Sequence, residues 1–122
     1  MHLVQELSEG HHLVRHVGTD GIHVGDRVFS QSFLLSPDRC IEGFPAHDMA
    51  GFDTAAVAAV LALEPALVLI GTGMRQHLAP PAVMGAFLKH GIGVEAMDSA
   101  AAARTFNLLA GEGRRVVAAF LL

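Results

Sequence analysis

The chain contains no tryptophan, no tyrosine, one cysteine (Cys40) and one lysine (Lys89). A single cysteine cannot form an intrachain disulfide, so the fold must rest on a hydrophobic core, as in a reducing compartment. One lysine among seven arginines, a net charge of −4 and no basic run argue against nucleic-acid binding, which needs cations to track phosphates. Charged residues make up only 16% against 52% hydrophobic, the reverse of a disordered composition. Long apolar runs are missing too: the longest, residues 55–63, would make a helix of about 14 Å, under half the ~30 Å of a bilayer core. The N-terminal stretch carries Glu6 and Glu9 without a basic start or a long apolar segment, so it resembles neither a signal peptide nor a transit peptide. The expectation is a cytoplasmic protein without a transmembrane segment.

What is present is 122 residues, enough for a single domain over 1–122 with no linker or internal repeat. Area scaling gives about 6,300 Å² folded against about 18,600 Å² unfolded, a chain able to bury a real core.

Residues 13–17, 22–24, 27–29 and 32–35 are short β-branched or aromatic-rich pieces separated by Gly18-Thr19-Asp20-Gly21, Gly25-Asp26 and Ser36-Pro37-Asp38, which predicts an antiparallel meander. Residues 40–43 add one more short strand. The period then changes. Asp53 is placed to cap a helix over 54–64, with Phe52 stapling onto Val57 and Pro65 ending it. Residues 67–70 are apolar on both faces, as in a buried parallel strand. Pro80-Pro81 opens a helix over 82–90 that Gly91 closes. A strand over 93–97, a helix capped by Asp98 or Ser99 and ended by Gly111, and a last strand over 116–121 complete the order. The expected fold is α/β in three layers: a central mixed sheet, helices on one side, and an additional β layer from the N-terminal meander.

Motifs that would carry chemistry are few. Gly71-Thr72-Gly73 follows a parallel strand, where ligands sit in open α/β sheets, and Arg75 lies just beyond. Gln76 stands where the dinucleotide fingerprint needs a small residue, and no Gly-Lys-Ser/Thr follows. The loop therefore reads either as a tight strand exit or as a cradle of N–H groups for a small anion or metabolite. His11, His12 and His16 cluster near the start, yet a strand puts positions 12 and 16 about 13 Å apart, too far for one metal ion. Solvated histidines are the simpler reading, and no metal or cofactor is expected. Cys40 with His47 as base would be a nucleophile pair, against an inert buried cysteine; Asp48 and Asp53 fit turn and cap positions better than an acid–base pair. In the third helix, Ala102, Phe106 and Leu109 form an inward stripe, while Arg104 and Asn107 lie on another face with Glu112 and Arg114 following. These four are either structural anchors, Arg104 meeting Glu112 or a carbonyl, or polar contacts for a partner or anion.

Several segments together carry a resemblance: Leu63-Glu64-Pro65, Leu69-Ile70-Gly71-Thr72-Gly73, Gly93-Val94-Glu95-Ala96-Met97-Asp98, Ala103-Arg104-Thr105-Phe106-Asn107-Leu108-Leu109, and Glu112-Gly113-Arg114 before Val116-Val117-Ala118-Ala119. In this order the chain resembles a small family of unknown function. That family takes in bacterial and archaeal single-domain proteins, the mitochondrial respiratory complex I assembly factor 3 and an adipogenesis-associated protein. The resemblance implies a three-layer fold and a role in protein interaction during membrane-complex assembly, and it supplies no catalytic residues. Recurrent family positions fall at Gly71, Gly73, Asp98, Arg104, Asn107, Glu112 and Arg114. Ser99 replaces a common Thr and Phe106 a common Tyr, and the chain looks like a bacterial member.

The leading functional expectation is a non-enzymatic protein-interaction module assisting assembly of a membrane-associated complex, with peripheral association through a membrane protein. The alternative is a small-molecule or anion-binding protein, an enzyme included, that uses the Gly71-Thr72-Gly73 loop. Exposed meander strands in so apolar a chain also predict self-association.

Overall fold

A computed structural model describes residues 12–122; His11 and the N-terminal stretch weighed above as a targeting segment lie outside the described residues. Three strands, β1 (Val14–Gly18), β2 (Gly21–Val24) and β3 (Arg27–Phe29), form an antiparallel sheet of their own. The larger sheet has the order β5-β4-β8-β6-β7. Its strands are β4 (Phe33–Leu35), β5 (Cys40–Glu42), β6 (Leu67–Gly71), β7 (Gly93–Met97) and β8 (Val116–Phe120). β6 runs parallel to both β7 and β8, whereas β4 pairs antiparallel with β8 and β5. The α/β class and the mixed central sheet are as the sequence predicts. The meander, however, loses its fourth strand. All three residues of β4 are buried, Phe33 and Leu35 on one face and Leu34 on the other, so it fits inside the main sheet rather than at the edge of a half-exposed meander.

Three helices follow: α1 (Thr54–Leu61), α2 (Pro81–Leu88) and α3 (Ser99–Gly111), with a 3-10 turn at Met49–Gly51. Asp53 Oδ1 accepts the Ala56 N–H and caps α1, and Phe52 and Val57 share one core cluster, as the staple requires. The helix stops at Leu61, short of residue 64. The residue before a proline is driven out of the helical region, and Glu64 takes a left-handed φ of 55° ahead of Pro65. At the far end of α3, Gly111 is still helical. The left-handed position is Gly113 (φ 81°), where Gly113 N–H donates to Ala110 O and Arg114 N–H to Leu109 O, closing a Schellman turn.

Alternation along the strands divides the core in two. Val68, Ile70, Val117, Ala119 and Leu34 point to one face, where Val57, Val60, Val83 and Phe87 of α1 and α2 cover them. Leu69, Val116, Ala118, Phe120, Phe33 and Leu35 point to the other, where they meet Ala102, Ala103, Phe106 and Ala110 of α3 together with Val14, Ile22, Val24 and Phe29 of the small sheet. The helices therefore flank the sheet, with α3 sharing the meander's face instead of joining α1 and α2. Handedness explains it. The chain moves from β6 outward to β7 through α2, then back past β6 to β8 through α3; keeping both crossovers right-handed while reversing direction puts the second helix on the opposite face. The same reversal makes the carboxyl ends of β6 and β7 the point where neighbouring connections leave toward opposite faces.

Candidate functional site

The exits of β6 and β7 are where an open α/β sheet normally receives a ligand, and here they are sewn together. Thr72 N–H donates to Met97 O (2.9 Å), Ser99 N–H to Gly73 O (2.8 Å), and Gly73 N–H to Ser99 Oγ (2.9 Å). Asp98 Oδ1 accepts the Ala101 N–H at 2.8 Å and caps α3. Four of the N–H groups that an anion cradle would use thus already have partners inside the protein. Thr72 also shapes the loop, since its hydroxyl donates to Arg75 O (2.5 Å) and accepts from His77 N–H (3.1 Å), while Gln76 Nε2 donates to Ala96 O on the edge strand β7. Gly71 is needed for space: a Cβ there would sit 2.8 Å from Phe120 Cδ1. Gly73 is needed for its backbone, with φ 87°. Arg75 is exposed.

Two hollows flank this seam. One, of about 410 Å³, is lined by Gly73, Met74, Asp98, Ser99 and Ala100 on one side and by Val17 to Ile22 of the β1–β2 hairpin on the other. The second, of about 300 Å³, lies between Thr72, His77 and Leu121 and the segment His47–Ala50.

The four residues singled out on α3 and just beyond its end part company. Asn107 is a clamp: its Oδ1 accepts the Val14 N–H and its Nδ2 donates to Val14 O, both at 2.8 Å, which binds the outer edge of β1 to the helix. Arg104, Glu112 and Arg114 are exposed, and among the described residues Arg104 makes neither the expected ion pair with Glu112 nor a hydrogen bond to Asn107. Positions 104 and 108 on α3 and 112 at its C-cap fall four residues apart, so Leu108, 62% exposed, sits between the two charged residues on one outward stripe. Sequence reasoning passed over Arg115. Its Nε donates to Leu63 O and its Nη1 to Asp38 Oδ1, both at 3.0 Å, tying the entry of β8 to the loops beside it. Ser32 was missed as well: fully buried, it accepts the Leu122 N–H at 2.8 Å. Nothing in the spacing of either residue signals a partner 52 or 90 positions away.

The remaining candidates take structural places. Asp48 Oδ1 caps the Gly51 N–H, as Asp53 caps α1. Cys40 packs against the α3-side cluster while His47 lines the second hollow, and burial pushes the Cys40 thiol up, opposite to what an activated nucleophile needs. His12 donates its N–H to Pro37 O. His16 faces His23 across the hairpin, with ring centroids 5.3 Å apart, and His23 bonds Asp20, whose carboxyl is held below its ordinary value chiefly by that bond. No group of three metal-ligating side chains gathers among the described residues.

Residues 14–121 match the family described as proteins of unknown function, DUF498/DUF598. The chain belongs to this family. Its members include complex I assembly factor 3: the mouse NADH dehydrogenase [ubiquinone] 1 alpha subcomplex assembly factor 3 is 31% identical over 97 residues, 80% of this chain and 52% of that protein. A "13 kDa major membrane protein" of Francisella tularensis is 42% identical over 57 residues, 47% of this chain and 46% of the relative. The chain thus spans about half the length of the curated relatives it matches. Among solved structures, a Bordetella parapertussis protein superposes with a TM-score of 0.85 at 37% identity, covering 93% of this chain and 98% of that one. A Xanthomonas campestris protein does so at 0.83 and 43% identity, over 99% and 92%. No helix among the described residues is long and apolar enough to cross a membrane.

Proposed function

We propose that this DUF498/DUF598-family domain is a protein-interaction module that assists assembly of a membrane-associated complex, and that its partner surface is the outward stripe of α3. The observation that carries the reading is the division of labour on that helix. Asn107 and the inward alanines hold the hairpin and sheet, while Arg104, Leu108 and Glu112, with Arg114 beyond, present an apolar centre ringed by charges of both signs. Interfaces are built in that way, with an apolar anchor inside a polar rim. The relatedness to a complex I assembly factor and to a protein named as a membrane protein supplies the biological direction. In this reading the domain works on the cytoplasmic side and reaches the membrane through its partner; it carries no resident cofactor and uses no catalytic side chain.

The test is cross-linked affinity isolation from the soluble and membrane fractions of the native host, comparing wild type with an Arg104→Ala, Leu108→Ser, Arg114→Ala variant of unchanged circular dichroism. A stoichiometric protein lost in the variant supports the reading; equal recovery by both, or no partner in either fraction, overturns it.

A second reading is favoured by the hollow of about 410 Å³ at Gly73, Asp98 and Ser99, which falls within the usual range of ligand sites. There a small molecule or anion would meet Gly73, at the end of the Gly71-Thr72-Gly73 loop, together with Asp98 and Ser99. A metabolite that raises the melting temperature of wild type but not of a Gly73→Ala variant would select this reading.

A further inference from the structure

Large apolar side chains on the surface of this protein are unevenly placed. Met74, Leu78, Met84 and Leu88 are exposed within fifteen residues of one another, with Met74 99% and Leu78 78% accessible. Two of them are on the loop between β6 and α2. Met84 and Leu88 are four residues apart on α2, hence on one stripe, beside the stripe of the buried Val83 and Phe87. The loop is not slack. Thr72 and Gln76 fix its first half by the hydrogen bonds described above, and Pro80-Pro81 fix its entry into α2. The apolar tips are therefore presented to solvent by a held backbone.

Charge follows the same boundary. All twelve Asp and Glu residues of the chain lie outside residues 66–94, a stretch whose formal charges are Arg75 and Lys89, with His77 and His90 beside them. In a protein of net charge −4 this is the one long acid-free segment. Carboxylates stand at its borders: Asp48 beside His77 and Asp98 beside Met74, which cap Gly51 and Ala101, and Glu95 of β7 beside Leu67 and Leu69.

From the coincidence of these two features we infer that the loop of residues 72–80, with the outer stripe of α2, docks on an anionic lipid bilayer. Met74 and Leu78 enter the acyl boundary while Arg75 and Lys89 meet lipid phosphates, the arrangement of interfacial segments that combine apolar tips with cations. A folded partner would have to supply a fitted socket for Met74, which has almost no wall of its own. Acyl chains accept an isolated unbranched side chain without one. This surface is distinct from the α3 stripe, and it would give the domain a direct lipid contact in addition to the one made through its partner.

The test is flotation of the full chain with vesicles of phosphatidylcholine, with and without phosphatidylglycerol. Wild type is expected to float with the phosphatidylglycerol vesicles, to do so less as salt screens the charges, and to stay behind with phosphatidylcholine alone. Met74→Ser with Leu78→Ser should lower the partition at least about tenfold, and Arg75→Gln with Lys89→Gln should remove the dependence on phosphatidylglycerol. Val28→Ser, at an exposed position of β3 outside this surface, should float as wild type does. Because Met74 and Leu78 touch little of the protein, unchanged melting of their double variant is expected and separates lost docking from lost folding. Failure of wild type to float at low salt, or equal flotation of the Met74, Leu78 variant, overturns the inference. So does an acidic protein that binds through this loop while the vesicles do not.

Discussion

Replacing Asn107 by alanine removes both hydrogen bonds that hold Val14, and Val14 is buried at 7% exposure, so its N–H and C=O lose their partners with little access to water. Each bond contributes about 1 kcal/mol net, and each group left unsatisfied in the interior costs about 1–3 kcal/mol. Asn107 is itself only half-buried. Water entering the space left by the amide offsets part of the loss, which puts the expected cost near 2 kcal/mol. For a domain of this size that is a fall in Tm of roughly 6–8 °C, and a sizeable share of a total stability of about 5–15 kcal/mol. With no tryptophan or tyrosine to report, urea unfolding is followed by far-ultraviolet circular dichroism. Amide hydrogen exchange shows where the loss falls: protection should drop first in β1 and β2, whose hairpin is tied to α3 by this clamp. Asn107→Asp is the informative companion, because a carboxylate can still accept from Val14 N–H but faces the Val14 carbonyl with no proton to give. An Asn107→Ala variant within about 0.5 kcal/mol of wild type, with unchanged hairpin protection, would refute the reasoning.

Two glycines should respond in opposite directions. Gly71→Ala forces a methyl to 2.8 Å from Phe120 and should cost about 1–3 kcal/mol, whereas Gly85→Ala, inside α2 with open space around it, should add up to about 1 kcal/mol; thermal melts of both check this. The Asp38 carboxyl is held below its ordinary value of 3.8, first by the Ser36 hydroxyl and then by Arg115. Its contribution is therefore complete above that value and is lost as pH falls through the depressed one. Asp38 is half-exposed, so Asp38→Asn should cost under about 1 kcal/mol at neutral pH, and acid titration of stability should show the gap to wild type closing below pH 3.8. Burial raises the Cys40 thiol above its usual range, so iodoacetamide at neutral pH should label the folded protein far more slowly than the urea-unfolded chain, as mass spectrometry would show.

Local signals read well from the sequence because each is decided within a few residues. Asp53 and Asp98 cap their helices, Gly91 turns left-handed at φ 75°, and the apolar runs at β6 and β8 lie in the middle of the sheet. Decisions made at long range did not. Whether residues 33–35 close the meander or join the main sheet depends on β8, more than eighty positions away, and three residues carry too little alternation to tell. The face taken by α3 follows from strand order, which no single segment encodes. Of the residues marked for function, Asn107 turns out to depend on Val14, 93 positions distant, and Arg104 is exposed on the surface. Its spacing from Asn107 gave them one helix and said nothing of which way each points.

The claim that the stripe of α3 is the working surface is tested most directly by placing a photo-reactive side chain at Leu108, and in a parallel strain at exposed Val28 of β3, in the native host. Irradiation should yield one discrete protein adduct from position 108 and none from position 28. No adduct from 108, or the same pattern from both positions, would contradict the account.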